Sequence, residues 1–156
     1  MRGDFLFTLY MILLVIHIIA AVIGLGATFG LPVVMGLVKT KAQALFAYNV
    51  FKGIEKHGKI GSLSLLVTGL LMGFINPSLF TQIWYVASII IYIGVQPIAA
   101  GILPRKTELQ IKVLEEHDGD DLPEKYFTLA KKIKPLNNVL HISVVVLILL
   151  MTVKPF

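Results

Sequence analysis

The sequence predicts an all-helical membrane protein: a four-helix transmembrane bundle, antiparallel, with amphipathic interfacial helices on the cytoplasmic side. Three observations carry this reading. Of 156 residues, 56% are hydrophobic and only 15% are charged. The mean hydropathy of +0.84 lies far above that of soluble globular chains. The apolar residues also gather into four stretches, each suited to a hydrocarbon core of roughly 30 Å at ~1.5 Å per helical residue. These spans cover about 5–29, 58–75, 79–103 and 135–153, with connectors at 39–57 and 104–134, in one integral domain over residues 1–156.

Span one follows a short polar lead, Met1 to Asp4. The run from Phe5 to Val38 has no charge. As one straight helix it would overrun the membrane, so Gly30 and Pro32 are the expected break, with Leu31 to Val38 entering the interface. Inside the span stands His17. At helical spacing it shares a face with the small residues Ala20, Ala21, Gly24 and Thr28. Such a face lets a second helix come close in a membrane. An ionisable residue at that depth is a candidate site, and two readings stay open. His17 either hydrogen-bonds a neighbouring helix or holds a ligand.

The first connector, Lys39 to Lys59, carries five lysines. Ala42, Phe46, Val50 and Ile54 recur on one side of it, which predicts an amphipathic interfacial helix. Span two follows, rich in Gly, Ser and Thr. Gly61, Ser64 and Thr68 form its packing stripe, with His57 at the entry. The turn Asn76-Pro77-Ser78 joins it to span three as a hairpin. Trp84 and Tyr85 stand where an aromatic belt is expected. Ser88, Tyr92 and Gln96 make a polar stripe, and Pro97 is an expected kink.

The second connector holds seven basic and seven acidic residues. Glu115, Glu116, Asp118, Asp120 and Asp121 surround His117. Their spacing fits no calcium loop, so a solvated turn at Asp118-Gly119 is expected. Tyr126, Phe127, Ala130 and Ile133 point to another amphipathic helix. Span four opens with Asn137, Asn138 and His141. Lys154, after its end, is placed to snorkel.

Composition excludes several functions. With no cysteine there are no disulfides, thiolate nucleophiles, iron–sulfur clusters or Cys-ligated zinc. No phosphate loop, dinucleotide fingerprint or Ser-His-Asp arrangement is present. The net charge of +5 does not signal nucleic acid, because the lysines flank apolar segments and suit anionic headgroups. The two connectors hold twelve of the fourteen Lys and Arg residues. The positive-inside rule then sets the connectors in the cytoplasm and both termini outside a bacterial plasma membrane. It also speaks against Met1–Ala27 as a cleaved signal peptide, since cleavage would leave Lys39–Lys59 outside.

With that orientation, His17, Tyr92, Gln96 and His141 are expected in the cytoplasmic half of the bundle. Two imidazoles on different helices can ligate haem iron or a metal, and bundle interiors host such sites. No Asp or Glu lies within a span, which weakens hard-cation, carboxylate-metal and proton-pump readings. The cofactor expectation is haem, or a metal at His17 and His141, with Tyr92 and Gln96 orienting it; a quinone suits the same groups. The competing expectation is that these residues are interhelical hydrogen-bond partners and nothing more.

Three segments carry a resemblance. They are IHIIAAVIGLGATFGLP from Ile16 to Pro32, SLLVTGLLMG from Ser64 to Gly73, and LILLMTVKP from Leu147 to Pro155. In these the chain resembles a family of predicted four-helix bacterial integral membrane proteins with no established activity, ending on a Lys-Pro pair. Its first helix is more distantly similar to HemJ-type protoporphyrinogen oxidases and to CopD-type copper-resistance membrane proteins. The HemJ resemblance implies His17 as an axial ligand or porphyrin contact.

The functional expectation is a haem- or metal-binding bundle with a redox or cofactor-handling role. The alternatives are a non-enzymatic assembly protein acting on a membrane partner subunit, and a small transporter component working as a homo-oligomer. In every case the lipid bilayer is the medium.

Overall fold

A computed structural model of the chain describes residues 2–155. The elements are helices α1 (Arg2–Leu37) and α2 (Lys41–Ile75), a 3₁₀ turn (Pro77–Thr81), α3 (Ile83–Gln96), a wide π-type turn (Pro97–Ile102), α4 (Leu103–Glu115) and α5 (Glu124–Val153). No strand occurs among the described residues. Four helical stretches are long and apolar enough to cross a membrane: Gly3–Leu37, Lys41–Ile75, Ile83–Glu115 and Glu124–Val153. A hydrocarbon core needs only ~20 helical residues, and each stretch runs to 30 or more. All four are therefore longer than a single perpendicular crossing needs.

The connectors expected at 39–57 and 104–134 are not separate elements. The first is the opening half of α2, whose 35 residues run without a break. Thr40 starts it, its hydroxyl accepting from the Gln43 amide at 3.3 Å. The second continues α3 through the π-type turn into α4, then returns by a loop into α5. These extensions form a head with its own core of Ala44, Tyr48, Val113, Leu114 and Tyr126. Inside the head, the Tyr48 hydroxyl donates to Gln110 Oε1 at 2.9 Å. The loop is latched to the start of α2, where the Lys41 amide donates to the Asp120 carbonyl at 2.8 Å and Lys41 Nζ to the His117 carbonyl at 2.5 Å.

The side of the α2 head half expected to be apolar and interfacial is not the side that packs against protein. Phe46, Val50 and Ile54 are exposed, Phe46 by 72%. The buried face is Ala44, Ala47 and Tyr48. Alanines let α4 and α5 approach, and the tyrosine places a hydroxyl on a buried glutamine.

Prolines explain why the spans outrun their expected ends. Pro32 lies inside α1, which continues to Leu37. Proline has no N–H to give the carbonyl four residues back, here that of Thr28. His141 Nε2 supplies the missing partner, 3.0 Å from the Thr28 oxygen. Its ring also stacks on Phe29, centroids 4.4 Å apart and 12° from parallel. The break expected at Gly30 and Pro32 is thus repaired from α5. Pro97 and Pro104 bracket the π-type turn instead, where the Leu103 amide reaches back five residues to the Ile98 carbonyl.

The closest helix contact is between α1 and α2. A Cβ on Gly24 would lie 2.7 Å from the Ser62 backbone nitrogen. One on Gly61 would lie 2.6 Å from the Gly24 nitrogen and 3.0 Å from the Ala20 oxygen. No side chain fits at either position, so the backbones touch. Gly69 meets His17, Gly61 meets Gly24 and Phe51 meets Gly30, so the two helices pass in opposite senses. Two further core layers lie in the membrane part. One holds Ala20, Leu65, Tyr92 and Leu147; the other holds Met72, Leu79, Trp84 and Tyr85.

Candidate functional site

His17 reaches α2 through Nδ1, which lies 2.9 Å from Thr68 Oγ1. The threonine has one proton, and it goes to the Ser64 carbonyl at 2.6 Å. Thr68 therefore accepts, and in the neutral ring Nδ1 carries the hydrogen. That leaves a lone pair on Nε2. The hydrogen-bond partners of the ring among the described residues are Thr68 and the Leu65 backbone, both on α2. No buried side-chain N or O lacks a partner among the described residues, so Nε2 is open to a visiting molecule. Gly69 makes room for the ring: a Cβ there would stand 3.2 Å from His17 Cε1.

The ring borders a cavity of about 100 Å³, between α1, α2, α3 and α5, lined also by Gly69, Tyr85, Ser88, Tyr92 and Met151. Two tyrosines on α3 hold it open. The Tyr85 hydroxyl donates to the Gly69 carbonyl at 2.8 Å and the Tyr92 hydroxyl to the Ser62 carbonyl at 2.6 Å. Tyr92 also meets the Ser62 hydroxyl. Ser88 turns its proton back to the Trp84 carbonyl at 2.7 Å. With these hydroxyl protons committed to carbonyls, the wall offers a visiting molecule acceptor atoms, His17 Nε2 among them.

The structure brings His17 and Tyr92 to one cavity and leaves the other expected site residues elsewhere. His141 is bound to Thr28, eleven residues along α1 from His17. At ~1.5 Å per residue that is a separation of roughly 16 Å, whereas two nitrogens on one metal at ~2 Å each come within about 4 Å. His17 and His141 cannot share an iron. Gln96, one turn beyond Tyr92, is half-buried and outside the cavity lining, its side chain hydrogen-bonded to the Tyr92 hydroxyl. No group of three or more His, Asp or Glu could hold a metal among the described residues. A haem does not fit a cavity of about 100 Å³ either, since pockets that enclose drug-sized ligands run to ~300–1,000 Å³. The donor set fits neither group.

The packing residues divide between two places. Ala20, Gly24, Gly61 and Thr68 lie in the α1–α2 contact. Ala20, Gly61 and Ser64 also border a shallow groove of about 190 Å³ on the far side of that contact, beside His57. Thr28 donates its hydroxyl to the Leu25 carbonyl at 2.6 Å and offers its own carbonyl to His141. Two participants were not expected. Tyr85, expected in an aromatic belt, is 3% exposed and faces the cavity. Ser62 receives Tyr92. A signal was there: Tyr85 and Tyr92 are spaced by seven, as are the carbonyls of Gly69 and Ser62 that they reach.

The chain matches, over residues 11–155, the family described as predicted integral membrane protein (DUF2269). No curated protein and no solved structure matches it.

Proposed function

This chain belongs to the family of predicted integral membrane proteins (DUF2269), and we propose that it is a binding bundle for a small amphiphile dissolved in the bilayer. The head of that amphiphile is a single ring carrying a hydrogen-bond donor, as in a phenol or a quinol. The observation that carries the reading is the open Nε2 of His17 at the wall of an apolar cavity. An acceptor in such a wall rewards a donor and disfavours an isostere without one. The size limits the head to a single ring that the cavity seats in part: its volume of about 100 Å³ is smaller than the ~150 Å³ of an apolar cavity that takes benzene whole. Any alkyl tail stays with the lipid chains. The basic ends of α2, α4 and α5 lie in the cytoplasm in this reading, with both termini outside.

The test is thermal unfolding of the detergent-purified protein against a 4-alkylphenol and the matched 4-alkylanisole. A saturable rise in Tm with the phenol alone supports the reading, because a ligand binding only the folded state stabilises it as RT ln(1 + [L]/Kd). His17→Leu abolishes the rise. Equal responses to both compounds, or a phenol response surviving in His17→Leu, sink it. A protein indifferent to both compounds that elutes with a second membrane subunit answers to the assembly reading instead.

A further inference from the structure

We infer that the level at which α2, α4 and α5 leave the membrane is a binding belt for anionic phospholipid headgroups. The inference is independent of the His17 cavity. It rests on register, thickness and the pairing of charges.

Gln110 on α4 meets Tyr126 on α5, its Nε2 donating to the tyrosine carbonyl at 3.4 Å. Five residues back along α4 is Arg105, and five forward along α5 is Lys131, so the two stand at one height. Lys106, Lys132 and Lys134 fall within a turn of them. On α2, Tyr48 meets Gln110 at 2.9 Å, which brings Lys52 to the same height. Six cations from three helices thus share one plane.

That plane is one membrane thickness from the opposite end of the bundle. At the far end Lys154 Nζ lies 5.5 Å from the centre of the Trp84 ring, a pair suited to an interface. From the start of α3 at Ile83 to Arg105 is 22 residues, or roughly 33 Å at ~1.5 Å each. From Lys132 to the end of α5 at Val153 is 21 residues, or roughly 32 Å. Both match a hydrocarbon core of roughly 30 Å.

The protein neutralises the belt only in part: Glu108 on α4 and Glu55 on α2 stand within a turn of it, against six cations. The ion pairs among the described residues are Lys59 with Glu55, Lys112 with Glu116 and His117 with Asp121. None involves Lys52, Arg105, Lys106, Lys131, Lys132 or Lys134. Glu108, the acid nearest on α4, pairs with none of them. The cluster Glu115 to Asp121 lies further out, in the loop at the tip of the head. Like charges gathered at one height repel unless a counter-charge sits among them. At that depth the further counter-charge available is lipid phosphate, each cation near an anionic surface contributing about fivefold in affinity.

The experiment reconstitutes the whole chain in nanodiscs of phosphatidylcholine doped with phosphatidylglycerol, and native mass spectrometry counts the lipids each variant keeps on release. The expected result is retention of phosphatidylglycerol over phosphatidylcholine. That preference should fall about fivefold per charge removed in Lys131→Gln, Lys132→Gln and Lys134→Gln. The same three positions changed to Arg keep it, and unchanged Trp84 emission shows that the bundle is folded in either set. Equal retention of both lipids, or full preference in the Gln set, overturns the belt. So does displacement of the lipid by inorganic phosphate, which would make the plane a site for the free anion.

Discussion

The imidazole of His141 completes a hydrogen bond that Pro32 removes, its Nε2 lying 3.0 Å from the carbonyl oxygen of Thr28. One residue on α5 thereby permits a proline inside α1. His141→Leu should strand that carbonyl and cost about 1–3 kcal/mol. Pro32→Ala restores the intrahelical N–H, so the double variant should recover most of the loss. Unfolding in mixed micelles measures the cycle. Equal losses for His141→Leu with and without Pro32→Ala would break the link.

The glycines of α1 should separate sharply. Gly24→Ala presses a methyl into the Ser62 backbone and should cost about 1–3 kcal/mol. Gly26→Ala meets nothing within 4 Å and should stabilise by about 0.5–1 kcal/mol through helix propensity. The same unfolding assay distinguishes them, and a harmless Gly24→Ala would mean the helices do not touch there.

Each α3 tyrosine bonds one α2 carbonyl. Tyr85→Phe and Tyr92→Phe should each cost about 0.5–1.5 kcal/mol. Tyr92→Phe should also alter phenol binding, because its hydroxyl borders the same cavity as His17. A Tyr92→Phe variant that binds phenol as the parent does would remove the residue from the site.

Haemin added to the purified protein should give no six-coordinate low-spin spectrum that depends on both His17 and His141. The roughly 16 Å between them leaves a single imidazole to any one iron. A two-histidine spectrum lost in either His→Ala variant would contradict the helix register.

In the loop, the His117 ring 3.0 Å from Asp121 holds that carboxyl below the usual carboxylate range. A depressed folded-state pKa adds stability above the unfolded value, near ~3.9, that is lost as pH falls through the folded one. The Tm difference between the parent and Asp121→Asn should therefore be present at neutral pH and fade in acid below about pH 4. A difference that grows in acid has the wrong sign.

Membrane residence and the four spans were legible because hydropathy alone decides them. The small-residue face of span one was legible too: Ala20 and Gly24 obey helical spacing, and close approach demands small residues. Its partner was not. Spacing along α1 names a small face but not its partner, and the structure pairs His17 with Thr68, seven residues from the end of α2. That pairing depends on where helices end, and the ends depend on Pro32 being rescued by a residue on α5. Convergence of His17 and His141 failed for the same reason. Tyr48 and Gln110 were missed because a buried polar pair between two helices leaves no periodic trace.

The contact between Gly24 and Gly61 is a fulcrum. Two stiff rods that lie side by side and touch backbone to backbone at one point rock on it like the halves of a clothes peg. Along α1 the arms are nearly equal: seven residues to His17 and six to Gly30, or roughly 10 and 9 Å. Widening the gap between Gly30 and Phe51 near the head closes the gap between His17 and Thr68, and the reverse. Spin labels set across each arm, in a chain with no cysteine of its own to interfere, would report the two distances changing in opposite directions.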